Sequence, residues 1–191
     1  GWKLAVGTIL GLAFIFNLQL WPAFLSTLVL VFISALVSIV MGIPLGIIAG
    51  RNYRFHRIIS PVLDFMQTMP SFVYLIPALL FLGIGTVPAV FATVIFAMPP
   101  AIRFTDLGIR QVPVDLVEVG EAFGSTPGQL LWKIQLPVAL PTIMAGINQT
   151  MMLSLSMVVI ASMIGAGGLG AGVLEAIAQL KIGMGFEYGI A

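Results

Sequence analysis

The fold is decided by residues 24–50, FLSTLVLVFISALVSIVMGIPLGIIAG, which contain no charged side chain. This run exceeds the roughly 20 apolar residues that a helix needs to cross a bilayer. Three longer stretches of the chain contain no Asp, Glu, Lys or Arg: 4–50, 65–102 and 134–174. Because lipid cannot hydrogen-bond an exposed backbone, such spans fold as helices. The sequence therefore predicts an all-α, polytopic membrane protein.

Composition excludes a soluble protein and several chemistries. The chain of 191 residues is 60% hydrophobic and 8% charged, whereas soluble domains carry about 25% charged residues. It has no cysteine and a single histidine, His56, so thiol chemistry is excluded and a histidine-rich metal site is not expected. None of Lys3, Lys133 and Lys181 lies in a glycine-rich phosphate-binding loop. We expect a protein that is not an enzyme and binds no metal or cofactor itself.

Turn residues and charges divide the apolar stretches into about six spans within one transmembrane domain, 1–191. We place the spans at about 3–20, 24–50, 60–82, 87–103, 142–164 and 186 to the end. The sixth is too short to cross a bilayer, so we expect the natural chain to continue beyond Ala191. The first follows Lys3 and lacks a small-residue cleavage site, so we interpret it as a retained span rather than a signal peptide.

The basic residues predict an orientation. If the segment 51–57 is cytoplasmic, alternation of the spans leaves only Lys181 outside. The other seven of the eight basic residues then lie inside: Lys3, Arg51, Arg54, Arg57, Arg103, Arg110 and Lys133. This asymmetry follows the positive-inside rule. It predicts that both termini and the loop 104–141 are cytoplasmic.

Small residues recur at every fourth position of the second span: Ser34, Ser38, Gly42, Gly46 and Gly50. Residues four apart lie on one side of a helix, and small side chains there let another backbone approach closely. The approaching backbone belongs either to the same chain or to a second subunit, and the sequence leaves both open.

The loop between the fourth and fifth spans is much longer than a connection requires, and extra length of this kind is usually functional. Charges of both signs alternate with apolar residues in it, which predicts two short amphipathic helices. Pro113 suits the first turn of the first helix, and Gly124 suits its end. Thr126 and Gln129 have the spacing of a capping box, so the second helix should begin there and stop at Pro137.

The same loop resembles a known family motif. Glu118-Val119-Gly120, three residues, Gly124, nine residues and Ile134-Gln135-Leu136-Pro137 match the spacing of the EAA loop of ABC-importer permeases, E-A-A-x3-G-x9-I-x-L-P. The departures are at 119 and 120, where the family usually has two alanines. The resemblance implies a segment that couples to an ATPase: Glu118, Val119, Gly120, Glu121, Ala122, Gly124 and Pro137.

Most of the chain is similar to the permeases of glycine betaine/proline importers. The similar segments are DFMQTMP at 64–70, FVYLIP at 72–77 and NQTMMLSLSMVVIA at 148–161, together with Arg103, 107–109 and 111–113. The resemblance implies a type I ABC-importer transmembrane domain that imports compatible solutes across a bacterial cell membrane for osmoprotection. It also implies a second permease subunit in a homodimer, two cytoplasmic ATP-binding subunits that hold ATP and Mg²⁺, and an external substrate-binding protein or domain. Nucleic acid is not an expected partner.

Polar residues inside the spans are candidates for a translocation pathway. Gln67 lies seven residues beyond Ser60 and Asn148 lies seven residues beyond Pro141, so both are roughly 10 Å from the cytoplasmic ends of their helices and could share one polar layer. The candidate pathway residues are Gln67, Thr68, Asn148, Met152 and Ser156. We interpret Asp64 as part of an interfacial ion pair with Arg57 rather than as a substrate site.

The fifth span carries polar residues on two faces. Asn148, Met152 and Ser156 fall on one face, whereas Thr150 and Ser154 fall nearly opposite. Only one face can line a pathway, and the other is expected to form hydrogen bonds between helices. The sequence does not distinguish the two faces.

Three alternatives to this function remain. The same architecture could import choline, carnitine or methionine. A secondary transporter or channel would need no ATPase, but no relay of ionisable residues runs through the spans and the long loop would have no purpose. A passive membrane anchor should contain few buried polar residues, which Gln67, Asn148 and Gln149 contradict.

Cysteine substitution tests the orientation, because the chain has no other thiol. We expect Gly128→Cys to be protected from an impermeant thiol reagent added to intact cells and to react once the membrane is permeabilised. Lys181→Cys should react in intact cells. Labelling of Gly128→Cys from outside would contradict both the orientation and the cytoplasmic loop.

Overall fold

The computed structural model describes the whole chain, Gly1–Ala191, and contains helices but no strand. The α-helices are α1 Trp2–Asn17, α2 Trp21–Arg51, α3 Tyr53–Thr68, α4 Phe72–Leu82, α5 Thr86–Arg110, α6 Val114–Ala122, α7 Pro127–Leu130, α8 Leu136–Ala161, α9 Gly168–Ala178 and α10 Ile182–Ile190. A π-helical turn, Leu131–Gln135, joins α7 to α8, and a 3₁₀ turn, Ser162–Ile164, follows α8. The predicted all-α class is confirmed.

Three helical stretches are long and apolar enough to cross a membrane: α2, α5 and the continuous run Pro127–Ile164. A fourth is obtained if α3 and α4, which are separated by a bent break, count as one span. Helices α1 and α9 are apolar but shorter. The charge-free stretches of the sequence therefore lie largely within helices, although α3 and the end of α5 extend beyond them and several boundaries differ from those expected.

The expected third span, 60–82, is two helices. Its first half starts earlier, because the Asn52 side chain caps α3 by accepting hydrogen bonds from backbone N–H groups two and three residues later, at 3.0 and 3.3 Å. It ends early because Pro70 disfavours helical geometry at the preceding residue. Met69 is accordingly extended, with φ −74° and ψ 134°.

The expected fourth span, 87–103, is longer than the sequence suggested. Helix α5 passes through Pro99 and Pro100 without a break and continues to Arg110. Both prolines are buried among other residues of the chain, an environment in which proline is tolerated inside membrane helices. As a result the first seven residues of the expected loop, 104–110, are helical.

The prediction that the second loop helix stops at Pro137 is wrong, since α7, the π-helical turn and α8 form one continuous run. Proline in a regular α-helix clashes with the carbonyl four residues earlier. Here the turn just before Pro137 is widened, and the N–H of Leu136 bonds to the carbonyl of Leu131, five residues back. We attribute the uninterrupted helix to this wider turn.

The chain forms two compact units. The first comprises Gly1–Ser34, Ser71–Val94 and Ser154–Ala191. In it the start of α9 is attached to α2, because the N–H of Leu169 donates to Thr27 Oγ1 at 2.8 Å. Further along α9, Gly172 leaves room for the ring of Tyr188 on α10.

The second unit comprises Ala35–Pro70 and Ile95–Leu153. In it the glycines of the four-residue stripe on α2 contact α5. A Cβ atom added at Gly46 would lie 2.5 Å from Thr105 Cβ and 2.6 Å from the carbonyl oxygen of Ile102. Gly42 and Gly50 meet α5 at similarly short distances, 2.7 and 2.9 Å. These glycines therefore serve packing within the chain, which the sequence had left open.

The other side of α5 packs against α8. A Cβ added at Gly146 would lie 2.6 Å from Phe104 Cβ, and one added at Gly108 would lie 3.1 Å from Thr142 Cβ. The apolar core of this unit adjoins the contact and consists of Ile109, Leu131, Ala139 and Ile143. Helix α5 is therefore the central helix of the second unit.

Gly46→Ala tests this contact. We expect it to lower the free energy of unfolding by about 1–3 kcal/mol, because the added methyl must displace backbone as well as side-chain atoms. Gly11→Ala in α1, where nothing lies within 4 Å, is the control and should not destabilise the protein. The measurement is the thermal unfolding midpoint in detergent, and equal midpoints for the two variants would contradict the contact.

Candidate functional site

The loop that carries the motif at 118–137 is called the EAA-like segment below. Its first half is a short helix with a defined end. Helix α6 begins after Pro113 and reaches Ala122, as the sequence predicted within one residue. At its end the N–H of Gly124 bonds to the carbonyl of Glu121 at 2.8 Å, and the N–H of Ser125 bonds to that of Gly120 at 3.1 Å. This pair is a Schellman motif, which requires a left-handed residue. Gly124 supplies it with φ +76°.

Gly120, which departs from the usual alanine, is a close-approach position. It is buried, and a Cβ there would lie 2.5 Å from Ile134 Cδ1 and 2.7 Å from Leu130 Cδ1. The absence of a side chain lets α6 lie directly on the second half of the segment. An alanine here would require the ends of the Ile134 and Leu130 side chains to shift.

The second half of the segment begins at the predicted capping box. The N–H of Gln129 donates to Thr126 Oγ1 at 3.4 Å, and the N–H of Thr126 donates to Gln129 Oε1 at 2.9 Å. Both reciprocal bonds are present, so the helix start is confirmed. Leu130 and Leu131 then turn inward and are buried.

The outward surface of the segment combines acidic and aromatic side chains. Glu118, Val119 and Glu121 are exposed. Phe123 is 87% exposed and Trp132 is 71% exposed. Large aromatic side chains left on a surface beside charges are typical of a protein–protein docking site.

A buried carboxylate lies near the end of α5. Asp106 is 8% exposed, and its Oδ2 lies 2.7 Å from His56 Nδ1 on α3. Its Oδ1 accepts a hydrogen bond from Arg110 Nε at 3.0 Å. A carboxylate removed from solvent needs such partners. The contacts of Asp106 with His56 and Arg110 were not predicted from the sequence, although the i, i+4 spacing of Asp106 and Arg110 was a usable signal.

Tyr53, in the first turn of α3, adjoins this carboxylate group. Its ring stacks on His56 at a centroid distance of 6.4 Å and lies 5.7 Å from the Arg110 guanidinium. Arg57 also lies over the ring, at 4.8 Å, and donates to the Tyr53 hydroxyl at 3.1 Å. The start of α3 is therefore held to the end of α5 by polar and aromatic contacts together.

The prediction that Asp64 forms an ion pair with Arg57 is wrong. Asp64 pairs instead with Arg103 on α5, and Arg57 is engaged by Tyr53. Residues seven apart on a helix are about 10 Å apart along its axis, so a residue on the neighbouring helix is the closer partner. Asp64 is confirmed as a member of an ion pair, with a different partner.

The structure distinguishes the two polar faces of α8. Thr150 and Ser154 are fully buried within the chain, whereas Asn148, Met152 and Ser156 are exposed on its surface. The first face therefore packs internally, and the second remains available for a pathway.

The pathway candidates on α3 are also on the surface. Gln67 and Thr68 are exposed in its last turn, where Thr68 Oγ1 donates to the carbonyl of Phe65 at 2.9 Å. No hydrogen bond joins Gln67 to Asn148, so the shared polar layer stays a prediction.

The chain is similar to a family of membrane transport components and to individual permease proteins. The family model described as "Binding-protein-dependent transport system inner membrane component" matches residues 42–191. The glycine betaine transport system permease protein OpuAB of Bacillus subtilis (strain 168) is 57% identical over 188 residues, 98% of this chain and 67% of that protein. The glycine betaine/carnitine transport permease protein GbuB of Listeria monocytogenes serotype 1/2a (strain 10403S) is 57% identical over 190 residues, 100% of this chain and 67% of that protein. The chain thus spans about two thirds of the length of these relatives.

Solved structures with the same fold include a chain of the methionine ABC transporter MetNI in an inward-facing conformation. The TM-score is 0.75 at 23% identity, and the match covers 86% of this chain and 83% of that chain. At this identity the likeness concerns the fold. It confirms the expected ABC-importer transmembrane architecture.

Gly124→Val tests the Schellman end of α6. A β-branched residue at a positive φ is strained by at least about 1–2 kcal/mol, so the last turn of α6 should open more often. We expect faster amide hydrogen exchange in a peptide covering 118–126. Gly128→Val is the matched control, because Gly128 has no positive φ and nothing lies within 4 Å of its added Cβ. Equal exchange in the two variants would show that the motif does not stabilise the segment.

Proposed function

The chain belongs to the family of binding-protein-dependent transport system inner membrane components, and we propose that it is the permease subunit of an ATP-driven importer of glycine betaine. It is a transport component of the membrane and not an enzyme. One observation supports glycine betaine as the substrate: two relatives at 57% identity over almost the whole chain are glycine betaine permeases by name. The resemblance found in the sequence is therefore confirmed at the level of the family.

The EAA-like segment is the proposed contact with the ATPase. Its exposed acids and aromatics face outward, while the glycines at 120 and 124 and the capping box hold its two halves in one shape. A segment that is already held in one conformation loses less conformational entropy when it docks on a partner than a flexible loop does. The residues with this proposed role are Glu118, Val119, Gly120, Glu121, Ala122, Gly124 and Pro137.

The proposed assembly contains two copies of this chain, two cytoplasmic ATP-binding subunits and an external substrate-binding protein or domain. ATP and Mg²⁺ would be held by the ATP-binding subunits, since this chain contains no phosphate-binding loop. In the proposed orientation both termini and the coupling segment are cytoplasmic. The seven-to-one distribution of basic residues supports that orientation.

The proposed pathway is lined by uncharged side chains. Gln67, Thr68, Asn148, Met152 and Ser156 are all exposed on the surface of the chain, where a second copy could complete a channel. A trimethylammonium group is held tightly by aromatic faces, which we assign to the external receptor. A permease that binds the solute only weakly releases it readily inward.

Carnitine is the second candidate solute, because one of the two relatives carries it in its name. Carnitine and glycine betaine share the quaternary ammonium group, so one pathway could accept both.

Uptake into proteoliposomes tests this function. Vesicles containing the permease, its ATPase and its receptor should accumulate radiolabelled glycine betaine when ATP is supplied to the ATPase side. Proline, carnitine, choline and methionine are offered in parallel, and vesicles lacking the ATPase are the control. Accumulation of methionine but not glycine betaine would overturn the substrate and leave the importer standing. Uptake of glycine betaine without the ATPase would overturn both.

A further inference from the structure

Besides the approach of the Arg110 guanidinium to the Tyr53 ring, two contacts that involve a carboxylate attach α3 to α5 in the second unit. His56 meets Asp106 at 2.7 Å, and Asp64 pairs with Arg103. The residue numbers rise along α3 as they fall along α5, so the two helices run in opposite directions at this contact. The first attachment is buried on the α5 side, and the second is exposed.

Asp106 is closely connected to the coupling segment. Only seven residues lie between it and the first residue of α6, Val114. The intervening Ile109 and Val112 are both buried, and Ile109 packs in one core with Leu131 of the segment. Only three residues, 111–113, connect α5 to α6, and the shared core adds a second contact, so a displacement of α6 is expected to reach the end of α5.

The far end of α3 carries two of the pathway candidates. Gln67 and Thr68 follow His56 by eleven and twelve residues on the same helix, about 17 Å along its axis. Helix α3 is continuous over this distance, although Pro61 lies within it, so a displacement of its start can reach its end. The contact between His56 and Asp106 is thus one of the side-chain links between the end of α5, next to α6, and the helix that carries Gln67.

We propose that Asp106 is a positioning residue for transport, which couples the movement of the ATPase-docking segment to α3 through His56. The inference rests on the proposed function. Asp106 suits the role because each of its oxygens has a separate partner: Oδ1 is held by Arg110 of its own helix, and Oδ2 by His56 of α3. Its own helix fixes the carboxylate in place, and the carboxylate in turn fixes α3.

His56→Ala removes the link and leaves Asp106 paired with Arg110, so the buried charge keeps a partner. In proteoliposomes of the complete complex we expect the amount of solute imported per ATP hydrolysed to fall about fivefold or more, with hydrolysis retained. Asp106→Asn should act in the same direction. Arg54→Ala is the matched control and should leave the ratio unchanged, because the exposed Arg54 side chain takes no part in the contacts between α3 and α5.

A covalent tether separates positioning from a general structural role. The double variant His56→Cys/Asp106→Cys should be poorly coupled until a short bifunctional thiol reagent joins the two helices, and should then regain coupling. The chain contains no other cysteine, and the partner subunits are used in cysteine-free form. The comparison is made within one preparation, before and after crosslinking, so a difference in folding between variants does not affect it.

An unchanged ratio in His56→Ala, or no recovery on crosslinking, would overturn the proposal. Wild-type vesicles distinguish this failure from failure of the proposed function, since the ratio can be measured for whichever solute they import. Wild-type vesicles that import no solute with ATP would overturn the proposed function itself.

Discussion

The close approach of α2 to α5 is the constraint on which the second unit depends. Apolar side chains gain little from leaving lipid for a protein interior, so helix association in a membrane needs dense packing and satisfied polar groups. The glycines at 42, 46 and 50 bring the two backbones close enough for α5 to contact α2 on one side and α8 on the other. The end of α5 then carries polar and aromatic contacts that reach α3.

The one buried ionisable side chain lies where the packed helices provide hydrogen-bond partners for it. The only buried ionisable side chain in the chain, Asp106, has a partner for each oxygen. Thr105, one residue earlier, is also buried against α2, but its hydroxyl has no hydrogen-bond partner. The cost of an unpaired charge far exceeds that of an unpaired hydroxyl, which explains why the carboxylate and not the hydroxyl is fully satisfied.

The EAA-like segment obtains its shape from local contacts rather than from a large core. A Schellman end at Gly124, a capping box at Thr126 and a contact at Gly120 define it within fewer than twenty residues. The widened turn before Pro137 then joins it to α8 without a hinge. The segment therefore continues directly into one of the three helical stretches that are long and apolar enough to cross a membrane.

The sequence by itself determined the features that depend on neighbouring residues. Charge-free stretches predicted the membrane helices, Gly124 and the Thr126–Gln129 spacing predicted the helix ends in the loop, and the motif at 118–137 indicated the family. Tertiary structure alone decided the features that depend on residues far apart in the chain. It assigned the glycine stripe to α5, paired Asp64 with Arg103 rather than Arg57, and turned Thr150 inward and Asn148 outward. A helical pattern gives the face on which a residue lies, but the identity of the helix packed against that face depends on how the whole chain folds back on itself.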